Sequence, residues 1–182
     1  MKKIFALVLA CLFVLVSGCA EGEDLPVVYF DCTEQEIVDA LSEDHFITLE
    51  QISNIDNTKT GDKIAAFSFY SEPGNYDTYM HYQIGYSAET GNASTINFFF
   101  DKNFMGNIDH AWTRFNYHIG AISTILDPTI NTVELYEIID SGIDENGHSM
   151  YIGDTFALFA TLNDKYFDAA FYPAERYAKY NQ

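Results

Sequence analysis

Two neighbouring segments of strictly alternating character constrain the fold more than anything else in the chain. Thr78–Tyr86 sets Met80, Tyr82, Ile84 and Tyr86 on one side and Tyr79, His81 and Gln83 on the other. Ser94–Lys102 sets Ile96, Phe98 and Phe100 against Asn97, Phe99 and Asp101. A period of two is the repeat of a β-strand, and Glu89-Thr90-Gly91-Asn92 between the two segments has hairpin-turn chemistry. An antiparallel pair with one apolar face needs a cover for that face. Asn107–Leu126 supplies it: Ile108, Ala111, Trp112, Phe115, Ile119, Ile122 and Leu126 recur at helical spacing, and Asp127-Pro128 stops the run.

The remaining segments extend this plan. Thr33-Glu34-Gln35-Glu36 is a capping box, with Ile37, Val38 and Leu41 on one face of a short helix reaching about Glu43. His45 to Ile55 fits either a second short helix or a strand, and Asn57–Asp62 is turn chemistry. Strands are expected at Ile64–Tyr70, Thr132–Ile139, Ser149–Leu162 and Tyr166–Tyr172, with turns at 144–147 and 163–165 and one helical turn in the polar tail from Pro173. The fold class is α+β: an antiparallel sheet with two helices packed on one face, in the order α-βββ-α-βββ. Thr33–Met105 and Gly106–Tyr172 repeat that order without any residue-level repeat.

Before the domain, Lys2 and Lys3 precede thirteen apolar residues, Ile4 to Val16. As a helix this run spans roughly 20 Å, short of a hydrocarbon core of about 30 Å, so it reads as a secretory signal and not as a membrane span. Val16-Ser17-Gly18-Cys19 follows at once. This tetrad resembles the lipobox of bacterial lipoproteins: an aliphatic residue, two small ones, then the modified cysteine. The resemblance implies cleavage after Gly18, lipid attachment at Cys19, and an extracytoplasmic location in the cell envelope, with the membrane as a partner through acyl chains. Residues 1–18 are then the signal peptide, 19–32 the lipidated cysteine and an acidic tether, and 33–182 a single domain. With Cys11 lost and Cys19 acylated, Cys32 is left alone, so the mature chain holds no internal disulfide.

Charge narrows the partners. Loss of Lys2 and Lys3 takes the formal charge from −18 to −18 − 2 = −20. Nucleic acid is excluded as a partner, because phosphate binding needs clustered Lys and Arg. Electrostatic docking on anionic lipid is excluded for the same reason. No metalloprotease, nucleophile-elbow, P-loop or dinucleotide motif occurs. Asp56 to Gly61 has the oxygen spacing of a calcium loop, but position twelve is Phe67 where a bidentate Glu belongs. No cofactor or metal is therefore expected.

Three features remain as candidate sites. His110, Arg114 and His118 recur every four residues along the margin of the long helix and form a cationic strip suited to an anion. His81 is a candidate general base with no acid or nucleophile at a recognisable spacing. Tyr70, Tyr76 and Tyr79, in a segment rich in Ser, Gly and Asn, have the composition of an adaptable contact surface. The expectation is a membrane-anchored, non-enzymatic binding module for a protein, peptide or glycan. The alternatives are an envelope hydrolase with a dispersed His/carboxylate site, or a structural envelope lipoprotein.

Overall fold

The computed structural model describes residues 27–57, 60–72, 75–101, 108–162 and 166–180. The side chains of 69–80, 101, 108–111 and 178–180 lie outside what is described, as does the segment carrying Cys19. Helix α1, Glu34–Glu43, starts at the capping box: Thr33 accepts from the Glu36 backbone N–H, and the Glu36 carboxylate accepts from the Thr33 N–H at 2.8 Å. Four strands follow as a meander: β1 Thr48–Asp56, β2 Lys63–Glu72, β3 Asn75–Tyr86 and β4 Ala93–Asp101. Helices α2, Ile108–Leu126, and α3, Thr132–Ser141, precede a second meander of β5 His148–Ile152, β6 Phe156–Leu162 and β7 Tyr166–Pro173. A 3-10 helix, Ala174–Tyr180, closes the described chain. No helix among the described residues is long and apolar enough to cross a membrane.

The seven strands form one antiparallel sheet in the order β1-β2-β3-β4-β7-β6-β5. Each meander therefore ends at the centre, and the two meet where β4 pairs with β7. The α+β antiparallel architecture is the one the alternating segments demand.

Three local elements differ from the sequence expectation, and a fourth, His45–Ile55, settles as one of the two alternatives the sequence leaves open. Thr132–Ile139 is helical although Thr, Val, Tyr and Ile favour strands. Asn131 caps it by accepting from Val133 and Glu134, and Leu135 and Ile139, one turn apart, are both buried. Cap and spacing outweigh propensity here. Ser149–Leu162 is two strands, because the chain turns at Gly153, whose N–H donates to the Phe156 carbonyl. His45–Ile55 resolves as strand β1 with a bulge between Gln51 and Ser53. The Tyr-rich segment, whose composition suggests a loop, continues β2 and β3, with Tyr70 opposite Tyr76 and Glu72 opposite Asn75.

One core lies between the sheet and its helices. Ile37 and Leu41 of α1, Phe115, Ile119 and Ile122 of α2, and Leu135 and Ile139 of α3 pack on Phe67, Tyr82, Ile84, Ile96, Phe98, Phe100, Leu158, Phe167 and Phe171. These sheet residues share one face by register: Phe67 opposes Tyr82, Tyr82 opposes Phe98, and Ile96 opposes Phe171. Gly120 lets the helices approach closely, since a Cβ there would collide with the Tyr136 hydroxyl. Burying a Phe or Leu side chain contributes about 2 kcal/mol, so this face carries most of the stability.

Candidate functional site

The second face of the same sheet is chemically different. Its rows follow from the pairing register. Ser68 opposes His81, His81 opposes Phe99, Phe99 opposes Asp168, and Asp168 opposes Thr161. One step along the strands, Ala66 opposes Gln83, Gln83 opposes Asn97, and Asn97 opposes Ala170. Beyond that row, Ile64 opposes Gly85 and Gly85 opposes Thr95. The described element packed on this face is the 3-10 helix, over β6 and β7: Tyr177 meets Phe159 at 5.0 Å, and the Arg176 guanidinium lies 4.8 Å from the Tyr172 ring centre.

Four polar atoms on this face are buried and have no hydrogen-bond partner: Ser68 Oγ, His81 Nε2 and Gln83 Nε2 on the strands, and Arg176 Nε on the 3-10 helix packed over β6 and β7. Ser68 is 7 % exposed and Gln83 3 %. A buried unpaired polar group costs about 1–3 kcal/mol, and the same condition recurs at Asn116, Ser123 and Ser149 elsewhere in the molecule. Asn97, Phe99, Thr161 and Asp168 beside them stay partly exposed. Gln83, Asn97, Thr95 and Gly85 also line a cavity of about 70 Å³ whose rim is Asn57, Asp62, Lys63 and Ile64. The rings run in line: His81 stacks on Phe99 with centroids 5.0 Å apart, and Phe99 meets Tyr166 at 5.4 Å.

Burial sets the protonation of this face. It holds His81 down at about 4, so the imidazole is neutral at physiological pH. It pushes the Asp168 carboxyl up to about 6. His81 and Asp168 stand on β3 and β7 with β4 between them. Two strand spacings are about 10 Å, too far for the hydrogen bond by which a carboxylate orients a catalytic histidine. Ser68 and His81 are register neighbours, yet neither orphaned atom bonds the other.

The remaining expected site residues fall elsewhere. His118 is 1 % exposed, bonded through Nδ1 to the Tyr82 hydroxyl at 2.6 Å and stacked on Phe98 at 4.5 Å. Burial, and then the nearby Arg114, holds its pKa down at about 3. It belongs to the core, so the strip of His110, Arg114 and His118 does not form a continuous cationic surface. The helix turns His118 inward because the apolar stripe is wide enough to include the position after Phe115 and before Ile119. Arg114 is half-buried, and the side chain of His110 lies outside the described residues. Tyr70, Tyr76 and Tyr79 are placed on β2 and β3 by their backbone, their side chains lying outside the description. Cys32 is a partly buried thiol raised to about 11, first by burial and then by the Glu36 carboxylate, which leaves it protonated and unreactive. Among the described residues no group of His, Cys, Asp and Glu is placed to hold a metal ion.

Sequence reasoning singled out His81 and missed Ser68, Gln83, Asn97, Phe99 and Asp168. The alternation placed His81 and Gln83 together, and Asn97 and Phe99 together, on the side opposite the apolar positions. Their union with Asp168 depends on the β4–β7 pairing, which no local pattern encodes. No protein-family model, no curated protein and no solved structure matches this chain.

Proposed function

We propose that this chain is a lipid-anchored extracytoplasmic binding module that is held to a bacterial envelope membrane through Cys19 and recognises its partner with the second face of its sheet. The observation that carries the binding reading is the row of buried, unpaired polar atoms on Ser68, His81 and Gln83 beside the partly exposed Asn97, Phe99 and Asp168. Unpaired polar groups persist at a cost to stability, and a ligand that satisfies them recovers that cost on binding. The anchor reading rests on Val16-Ser17-Gly18-Cys19 directly after the apolar run. The Tyr70, Tyr76 and Tyr79 hairpin is a second contact surface in this reading, on the composition of its segment.

The hydrolase reading has one observation in its favour, the Ser68–His81 register pair. It lacks a carboxylate within hydrogen-bonding reach of the imidazole among the described residues. Two experiments test the proposal. Cys19→Ala should move the protein from membrane to soluble fractions; a variant that still sediments with membranes removes the anchor. Cross-linking in intact envelopes should give adducts on the native chain that Asn97→Ala and Tyr76→Ala/Tyr79→Ala reduce. Adducts that neither variant changes remove the binding face.

A further inference from the structure

The two ends of the sheet are not guarded alike. β5, at one end, is five residues long, and Ser149 within it is buried. β1, at the other end, runs for nine residues, and among the described residues it pairs with β2 alone. An edge strand leaves a row of backbone N–H and C=O groups facing outward, a template on which another chain can pair. Folds blunt such edges with short length, lysine, proline or a bulge. β1 contains neither Lys nor Pro. Its one protection is the bulge between Gln51 and Ser53, and the runs Thr48–Gln51 and Ser53–Asp56 on either side of it stay in register with β2.

The side chains along this edge are open as well. Leu49 and Ser53 are half-buried and every other residue of β1 is exposed. Ile52 is 45 % exposed and Ile55 44 %, and Phe46, two residues before the strand, is 86 % exposed. Phe46 also holds a φ of +54°, in the left-handed region that favours glycine. Large apolar side chains scattered singly are ordinary on a surface, but these three follow one unpaired edge. Charge selects what can cover it. β1 carries Glu50 and Asp56, and Glu43 and Asp44 are exposed just ahead of it. Lys63 stands opposite Asp56, whereas Glu50 stands opposite Ser68 with no cation across from it. A second copy would bring its own Glu50 and Asp56 and a further formal charge of −18, so like charges oppose that pairing. An extended segment rich in Lys or Arg and apolar residues answers all three features: backbone groups for the edge, cations for the carboxylates, and apolar contact for Phe46, Ile52 and Ile55.

We propose that β1 takes an extended, cationic segment of a partner protein as an added strand, a contact separate from the second sheet face. The probe is an octapeptide of alternating Lys and Val, titrated into the full chain in non-ionic detergent. An octapeptide of alternating Lys and Pro keeps the charge but cannot form a ladder, and one of alternating Glu and Val reverses the charge. The Lys-Val peptide should bind saturably and slow amide hydrogen exchange across Thr48–Asp56. The other two should bind at least about tenfold more weakly. Ile52→Lys/Ile55→Lys places guarding charges at exposed positions, and it should weaken Lys-Val binding about tenfold while the thermal midpoint holds. Should that variant lose stability, the exchange pattern of the native chain still locates the contact. Absence of Lys-Val binding at millimolar concentration overturns the proposal. So does equal binding of the Lys-Pro peptide, which leaves charge without strand pairing, and so does protection confined to segments outside β1. Self-association of the chain that Ile52→Lys/Ile55→Lys abolishes would overturn the choice of a partner protein in favour of a second copy.

Discussion

Phe98 and Phe99 are adjacent in the chain and live in opposite worlds. Phe98 is fully buried, wedged among Tyr82, Phe115 and His118 on the helix-covered face. Phe99 is partly exposed, flanked by His81 and Asp168 on the other. The same contrast runs across the whole sheet. On the covered face the buried polar pair Tyr82–His118 is matched by a 2.6 Å hydrogen bond. On the second face Ser68, His81 and Gln83 each carry a buried, unmatched atom, although Ser123 and Ser149 do so on the covered side as well. Identical strands thus present two chemistries: one side is closed into an aromatic core, and the other carries His81, Asn97, Phe99 and Asp168 partly exposed.

The sharpest way to break this comparison is to truncate the two phenylalanines. Phe98→Ala should cost about 3–5 kcal/mol in urea unfolding, because it opens a cavity in a closed aromatic cluster. Phe99→Ala should cost less, about 2 kcal/mol, since Phe99 is partly exposed where Phe98 is fully buried. Equal costs would show that the second face is as much a core as the first.

The pH dependence of stability is the next test. An unfolded Asp releases its proton near 3.8, and folded Asp168 near 6. Between those values the folded state binds more protons, so Asp168 makes stability fall as pH rises, by up to about 3 kcal/mol in full. Asp168→Asn should therefore gain stability over the native chain at pH 8 and gain nothing at pH 3. The histidines have the opposite sign. His81 and His118 are held from 6.5 down to about 4 and about 3, so their contribution is intact above 6.5 and is lost as pH falls toward those values. Denaturant midpoints across pH 3–8 for the native chain and Asp168→Asn check both signs. A flat difference between the two proteins would remove the buried carboxylate from the account.

One expected effect is an increase. Gln83→Leu replaces an unpaired amide with an apolar group of similar size, and it should raise stability by about 1–2 kcal/mol while weakening ligand binding. A loss of stability would mean that the amide is satisfied in the folded protein and that the two faces differ less than their chemistry suggests.

Much of the covered face was legible in the sequence because it is written in short-range periodicity. The Thr33–Glu36 box, the stripe from Trp112 to Leu126 and the alternation of Tyr82, Ile84, Ile96 and Phe98 each lie within one element. Helix α3 was not legible from propensity, because Val133 and Ile138, which mimic a strand, are exposed and its identity rests on the Asn131 cap. His118 was misplaced for a related reason: a histidine next to an apolar stripe is core only if a partner such as Tyr82 waits across the interface. The second face was the least legible. Its members come from β2, β3, β4, β6 and β7, and what unites them is sheet order.

That order also shapes how the polypeptide reaches its final form. Hairpins within each meander close over a few residues, whereas the joint that sets Phe98 opposite Ala169 spans a loop of about 70 residues. A chain is synthesised amino end first, so the flank of β4 carrying Ile96, Phe98 and Phe100 waits unzipped until β7 arrives. During that interval the exposed rim is a sticky template for neighbouring copies, and the slow, aggregation-prone event in the birth of this protein is the fastening of that single seam.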